Sequence, residues 1–232
     1  MAASRKYELS GDQDRDLGWR IRALRDIPTH AVKKGDIGGW VASEASLSQN
    51  GDCWVADNAS VGETARVRGD ALISDRAEIT GEAEVYDEAR VYGRARVFGS
   101  AKVYETARVH GTRVRVCGSA RVYGNMTIRN EALVHGDAHA YGTGWIGEQA
   151  RVHGHARVYE MGRVTGEAVV HESAEVFGTG WVSGDAVVSG RARIHELGRV
   201  RGDARVGGDE EVCGKMLVEG EQPSPVDEQS GR

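Results

Sequence analysis

A beat of six residues restricts what this chain can fold into more than any other feature. Stepping by six from Cys53 to Ala107 gives ten units, and from Val114 to Met216 eighteen more. The residue two places after each start is Val or Ile, Ala140 excepted, and the start itself is Ala or Gly in 23 of the 28 units. A typical unit reads Ala89-Arg90-Val91-Tyr92-Gly93-Arg94. Ala-Arg-Val alternates as a short strand, with Ala and Val on one side and Arg on the other. The remaining triplet turns the chain, and Gly93 supplies a permissive backbone. So short a strand cannot bury its apolar face alone, so the units must stack into one continuous core.

A slower period counts the units in each coil. Thr-Gly-Trp stands at 143–145 and again at 179–181, with Met161-Gly162-Arg163 between them and Leu197-Gly198-Arg199 after. Gly therefore takes the start position at 144, 162, 180 and 198, always 18 residues apart. Three units per coil predict a triangular prism of about nine coils, ~43 Å long at a strand spacing of ~4.8 Å. The beat slips by one residue between Ala107 and Val114, which predicts a bulge or a longer corner near Gly111-Thr112-Arg113. Counted across that slip, one corner aligns Tyr86, Tyr104, Tyr123, Tyr141, Tyr159, Phe177 and His195, spaced by 18, 19, 18, 18, 18 and 18.

The hexads over about residues 53–218 resemble those of hexapeptide-repeat, left-handed parallel β-helix proteins. The opening Gly35-Asp36-Ile37-Gly38-Gly39-Trp40-Val41, followed by Leu47-Ser48-Gln49-Asn50-Gly51-Asp52-Cys53-Trp54-Val55, is similar to that of YdcK-like sequences. These are bacterial and phage-borne and often carry an acyltransferase label. The resemblance implies an all-β, single-stranded left-handed β-helix, and its hand rests on the resemblance alone. Crossover rules by themselves favour the opposite hand. As the domain plan we expect an N-terminal strand-rich cap over 1–46, the β-helix over 47–219 and a disordered polar tail over 220–232.

Bulk composition narrows the function classes. A net charge of −5 argues against a generic nucleic-acid binder, which is usually basic. Three cysteines, odd in number and far apart, do not form a disulfide framework. The opening MAASRKYELSGDQDRD has no apolar targeting core, and no stretch is long enough to span a bilayer. The expected location is cytoplasmic, in the host cytoplasm if the protein is phage-encoded, with no membrane partner.

Three outer columns could carry function. The Tyr86-to-His195 column offers a flat aromatic strip for a partner chain; the same rings could instead simply stack on one another. A second corner runs Cys117, His135, His153, His171, which suggests a soft metal site or a row of general bases. Side chains ~4.8 Å apart must converge to chelate zinc, so a full site would need ligands from another chain. The third column, Trp145, Arg163, Trp181 and Arg199, suggests guanidinium planes between indoles, with Gly at the adjacent starts making room behind Trp.

The leading expectation is a non-enzymatic, rigid binding or assembly scaffold that acts through the aromatic and Arg/Trp columns, with no cofactor. Its partner is a protein or a second copy, as homodimer or homotrimer. Because YdcK-like sequences occur in phages, one version binds and inhibits a host protein. The alternative implied by the resemblance is a trimeric acyltransferase or metal enzyme using acyl-CoA or zinc. It would take His135, His153 or His171 as base, or Cys117, His135 and His153 as metal ligands. Family acyltransferases use a loop that breaks the coils; here one extra residue is the only interruption, leaving no excursion to build a pocket wall.

Overall fold

Each six-residue unit forms a short strand, of two residues in most and three or four in a few, and a turn, and each strand pairs in parallel with the one a coil away. In the computed structural model, which describes residues 5–220, Arg96–Val97 pairs with Arg115–Val116 and Lys102–Val103 with Arg121–Val122. The result is an all-β parallel solenoid. Its three faces hold 12, 10 and 9 strands. The first face carries strands from Ser60–Val61 to Arg205–Val206, the second from Trp54–Val55 to Leu217–Glu219, and the third from Arg66–Val67 to Glu211–Val212.

The core is the unit start together with the residue two places on. From Ala59 to Val200 every one of these positions is buried, Gly starts included. Small Ala against branched Val or Ile lets strands from three sides meet around a narrow axis. Burying each Val contributes roughly 1.5–3 kcal/mol against leaving it exposed.

The coil number is about ten rather than nine, because the solenoid starts before the beat does. Strands β1 (Tyr7–Asp14) and β2 (Gly18–Ala23) pair antiparallel, and β3 (Ile37–Val41) runs antiparallel to β2. On its other edge β3 pairs in parallel with Ser60–Val61, and Leu47 bridges in parallel to Val67. Val41 and Leu47 are buried where hexad valines would stand, so one coil forms without hexad spacing. The first strands are fastened to it by polar groups. The buried Lys6 ammonium donates to the Cys53 carbonyl at 2.8 Å and lies 3.1 Å from its sulfur, and the Tyr7 hydroxyl donates to the Leu47 carbonyl at 2.7 Å.

Packing thins at the other end. Glu210 is exposed at a start position, and Met216 and Leu217 are both 49 % exposed. The tail expected to be disordered lies outside the described residues from 221 onward.

The corners use the left-handed backbone region, and the sequence puts Gly, an acidic residue or, at 130, Asn there. Glu105, Glu160 and Glu196 sit at φ of 57°, 54° and 53°. The carboxylate of each accepts a hydrogen bond from the corner amide one coil on, those of Gly124, Gly178 and Gly214, at 2.9 Å in every case. A charge-assisted bond thus offsets the roughly 1–2 kcal/mol that an L side chain loses in this conformation. Gly at 162 and 180 has a different cause from the one expected. A Cβ there would overlap the carbonyl oxygens of Val176 and Ile194 rather than crowd the indoles. Their N–H groups donate to Tyr159 and Phe177 carbonyls at 2.9 Å, so these glycines tighten the corner.

Candidate functional site

The aromatic column forms as one unbroken stack at the corner between the third and second faces. Ring centroids from Tyr86 through Tyr104, Tyr123, Tyr141, Tyr159 and Phe177 to His195 are 4.9, 4.9, 4.7, 5.2, 4.8 and 4.7 Å apart, all near parallel. Pairs of this kind contribute about 0.5–1.5 kcal/mol each beyond the area they bury. The stack continues at one end into the Arg68 guanidinium, 3.9 Å over Tyr86. At the other end the His195 ring meets the Glu211 carboxylate. Burial pushes the tyrosine phenols upward, those of Tyr104 and Tyr159 to about 12, so the tyrosines of the strip are uncharged at neutral pH. All seven rings are half-buried. Beside them, two residues along the same turns, Met161 and Leu197 are 48 % and 51 % exposed.

The histidine corner follows the first face. His135, His153 and His171 stack at 4.8 and 5.2 Å with planes 18° and 15° apart. Burial holds His135 and His153 below the ordinary histidine value, helped for both by Arg151 and for His135 also by Arg115. Burial raises the Cys117 thiol in the same column, which works against a thiolate ligand. Stacked rings aim their nitrogens alongside one another rather than at a common point, and no group of three or more His, Cys, Asp or Glu among the described residues could hold a metal ion. Cys117, His135 and His153 of one chain therefore do not fit a zinc site.

The Trp–Arg column keeps its predicted register, with Trp145, Arg163, Trp181 and Arg199 side by side on the second face. Its contacts differ from the expected sandwich. Arg199 lies 5.6 Å over Trp181, while Trp145 takes Arg129, a corner residue one coil earlier, at 3.9 Å. Among the described residues Arg163 covers neither ring. Trp181 is tied sideways instead, its indole N–H donating to the Thr165 hydroxyl at 3.0 Å. Gly147 makes the Arg129–Trp145 contact possible, because a Cβ there would sit 3.0 Å from the indole and 3.1 Å from the arginine stem.

Arginines that share a groove at the slip escaped the sequence reading. Gly93 still pairs with Gly111, and Arg96 with Arg115, so the register survives on both sides of the extra residue. Between them the corner swells, and the Arg113 amide donates to the Asn130 carbonyl at 3.2 Å. Thr112 and Arg113 become one wall of a groove of about 400 Å³, with Arg94 and Gln149 on the same turn ridge. Arg96, Arg115 and Arg151 point out of the first face along the other wall, above Leu133. A single inserted residue was enough to raise a wall where none was expected, and the slip was the signal that marked it.

A parallel solenoid of about ten coils, with its side chains in columns, defines a repeat protein whose surface is ordered one coil at a time. Within that class the chain is similar to YdcK-like β-helix proteins: the family model described as YdcK Beta solenoid repeat matches residues 89–105, just under one coil. No curated protein matches the chain. Among the described residues no helix is long and apolar enough to cross a membrane.

Proposed function

We propose that this chain is a non-enzymatic, rigid scaffold that captures a protein partner or a second copy of itself along the Tyr86-to-His195 corner. The observation that carries this reading is the seven-ring stack with its half-buried edges, flanked by exposed Met161 and Leu197. Aromatic surface already fixed by its neighbours loses little side-chain entropy on binding, so more of the contact energy becomes affinity. Trp145, Arg163, Trp181 and Arg199 flank the same corner on the second face as a secondary contact. In the phage version the captured partner is a host protein, which the scaffold inhibits by occupying its surface. Three free cysteines suit a reducing cytoplasm.

Replacing Tyr123 and Tyr141 together by Ser removes two rings from the middle of the stack. Partner capture, or self-association read from mass under native conditions, should then fall to background while the β-type circular dichroism stays. Capture equal to the parent's would sink the strip as an interface. A stable trimer holding zinc or acyl-CoA, with an activity lost on His153→Ala, would replace the scaffold reading by an enzymatic one.

A further inference from the structure

The groove raised by the slip is a second site, separate from the aromatic corner, and its chemistry differs. Five of its lining residues are arginine, Arg94, Arg96, Arg113, Arg115 and Arg151, and Glu131 is the one acid among them. Arg96 is held by Glu78 at 2.7 Å, and Arg113 reaches Glu131 only at 3.8 Å. Arg94, Arg115 and Arg151 form no ion pair or side-chain hydrogen bond among the described residues. On a chain with net charge −5 this is a local reversal of sign, and a concave wall concentrates its field.

We propose that this groove binds a small ligand through phosphoryl groups, at least two of them linked, as in a pyrophosphate or polyphosphate ester. Charge sets the class. Three uncompensated guanidiniums and a loosely held fourth exceed what a monocarboxylate neutralises, whereas a diphosphate matches them. Geometry agrees. Arg96 and Arg115 are strand partners, so their stems stand ~4.8 Å apart and can fork onto adjacent phosphoryl oxygens. Guanidinium suits this task better than ammonium because its planar donors meet two oxygens at once. Thr112 and Gln149 add neutral donors on the turn ridge, and Leu133 gives the floor an apolar patch for the rest of the ligand.

Inorganic pyrophosphate is the probe, titrated calorimetrically into the full chain at near-physiological salt. Saturable binding at one site per chain is expected. Arg115→Gln and Arg151→Gln should each weaken it roughly tenfold, the effect of losing one charge-assisted contact. Arg191→Gln, in an arginine groove whose charges are already paired, should leave it unchanged. Circular dichroism of each variant checks that the coils remain formed. Absence of saturable binding by the parent chain would overturn the proposal, as would equal losses in Arg191→Gln and Arg115→Gln. So would tighter, steeply salt-dependent binding of a single-stranded oligonucleotide, which would make the groove part of a nucleic-acid track.

Discussion

Two of the arginine-lined grooves on this prism differ in what those arginines already hold. In the groove of about 330 Å³ beside the third face, Arg157 and Arg193 both close on Glu175, at 3.4 and 3.9 Å, Arg193 also reaches Glu211 at 3.4 Å, and Arg191 holds Asp209 at 2.7 Å. The partners stand 18 residues apart, one coil up or down. A strict repeat delivers such pairs automatically, because opposite charges placed in consecutive units arrive side by side. In the slip groove that supply fails. Arg115 follows Arg96 along the strand column and Leu133 follows Arg115, so the column's one acid, Glu78, answers Arg96 and leaves Arg115 without a partner. Around Glu175 the coils answer their own arginines, whereas around Arg115 they leave a patch unsaturated.

Removing the insertion breaks the comparison most severely. Deleting Thr112 restores an unbroken spacing of 18 and lowers the wall of the slip groove. Pyrophosphate binding should disappear from calorimetry, while the thermal midpoint holds or rises, since the corner becomes like its neighbours. A folded deletion variant that still binds would show that the strand arginines suffice without the wall.

Neutralising the acids of the other groove tests the same idea from the opposite side. Glu175→Gln combined with Asp209→Asn frees Arg157, Arg191 and Arg193. Expected is a new, weak pyrophosphate site, with roughly tenfold tighter binding than the parent shows once its slip groove is silenced by Arg115→Gln and Arg151→Gln. These exposed pairs add little stability, about 0–1 kcal/mol each, so the fold should tolerate their loss. If no binding appears, then pairing is not what separates the two grooves, and shape must be.

Much of this was legible in the spacing and some of it was not, for physical reasons tied to particular residues. Period fixes strand partners, so the Tyr86-to-His195 stack and the His135–His153–His171 stack could be placed from numbering alone. Contacts between coils at a slant are outside what period specifies. Arg129 reaches Trp145 because Gly147 leaves a gap, and that depends on rotamers. The extra coil at the start was hidden for a related reason, since Val41 and Leu47 fill hexad places without hexad spacing. The slip groove was half legible. Its position was marked at Gly111-Thr112-Arg113, but Arg94, Arg96, Arg115 and Arg151 look in sequence like any other outward arginine. For Arg94, Arg115 and Arg151 the difference is the absence of an acid one coil away, which becomes visible only when the columns are laid side by side.

The smallest effect couples the slip groove to the histidine corner on the far edge of the first face. His135 is held below 6.5 first by burial and then by Arg115 and Arg151, which carry the groove's charge; His153, stacked on it, shares Arg151. Depressed folded values mean that protons bind the unfolded chain more readily. Stability is therefore complete above the ordinary value of 6.5 and falls as pH drops through 6.5 towards the folded midpoints. Glu84, held below 4.5 by Lys102, weakens the fold only at lower pH, so the two losses occupy separate windows. Thermal midpoints should thus decline as pH falls below about 6.5, and His135→Asn with His153→Asn should make that decline shallower, His30, His110 and His139, also held down by burial, keeping the remainder. Pyrophosphate in the groove cancels the guanidinium field, so the His135 ring should titrate higher by roughly 0.3 pH unit in proton NMR, less at high salt. Arg115→Gln should raise it in the same direction without ligand. A titration midpoint that ignores both changes would place burial alone behind the shift and leave the groove's charge too well screened to reach the corner.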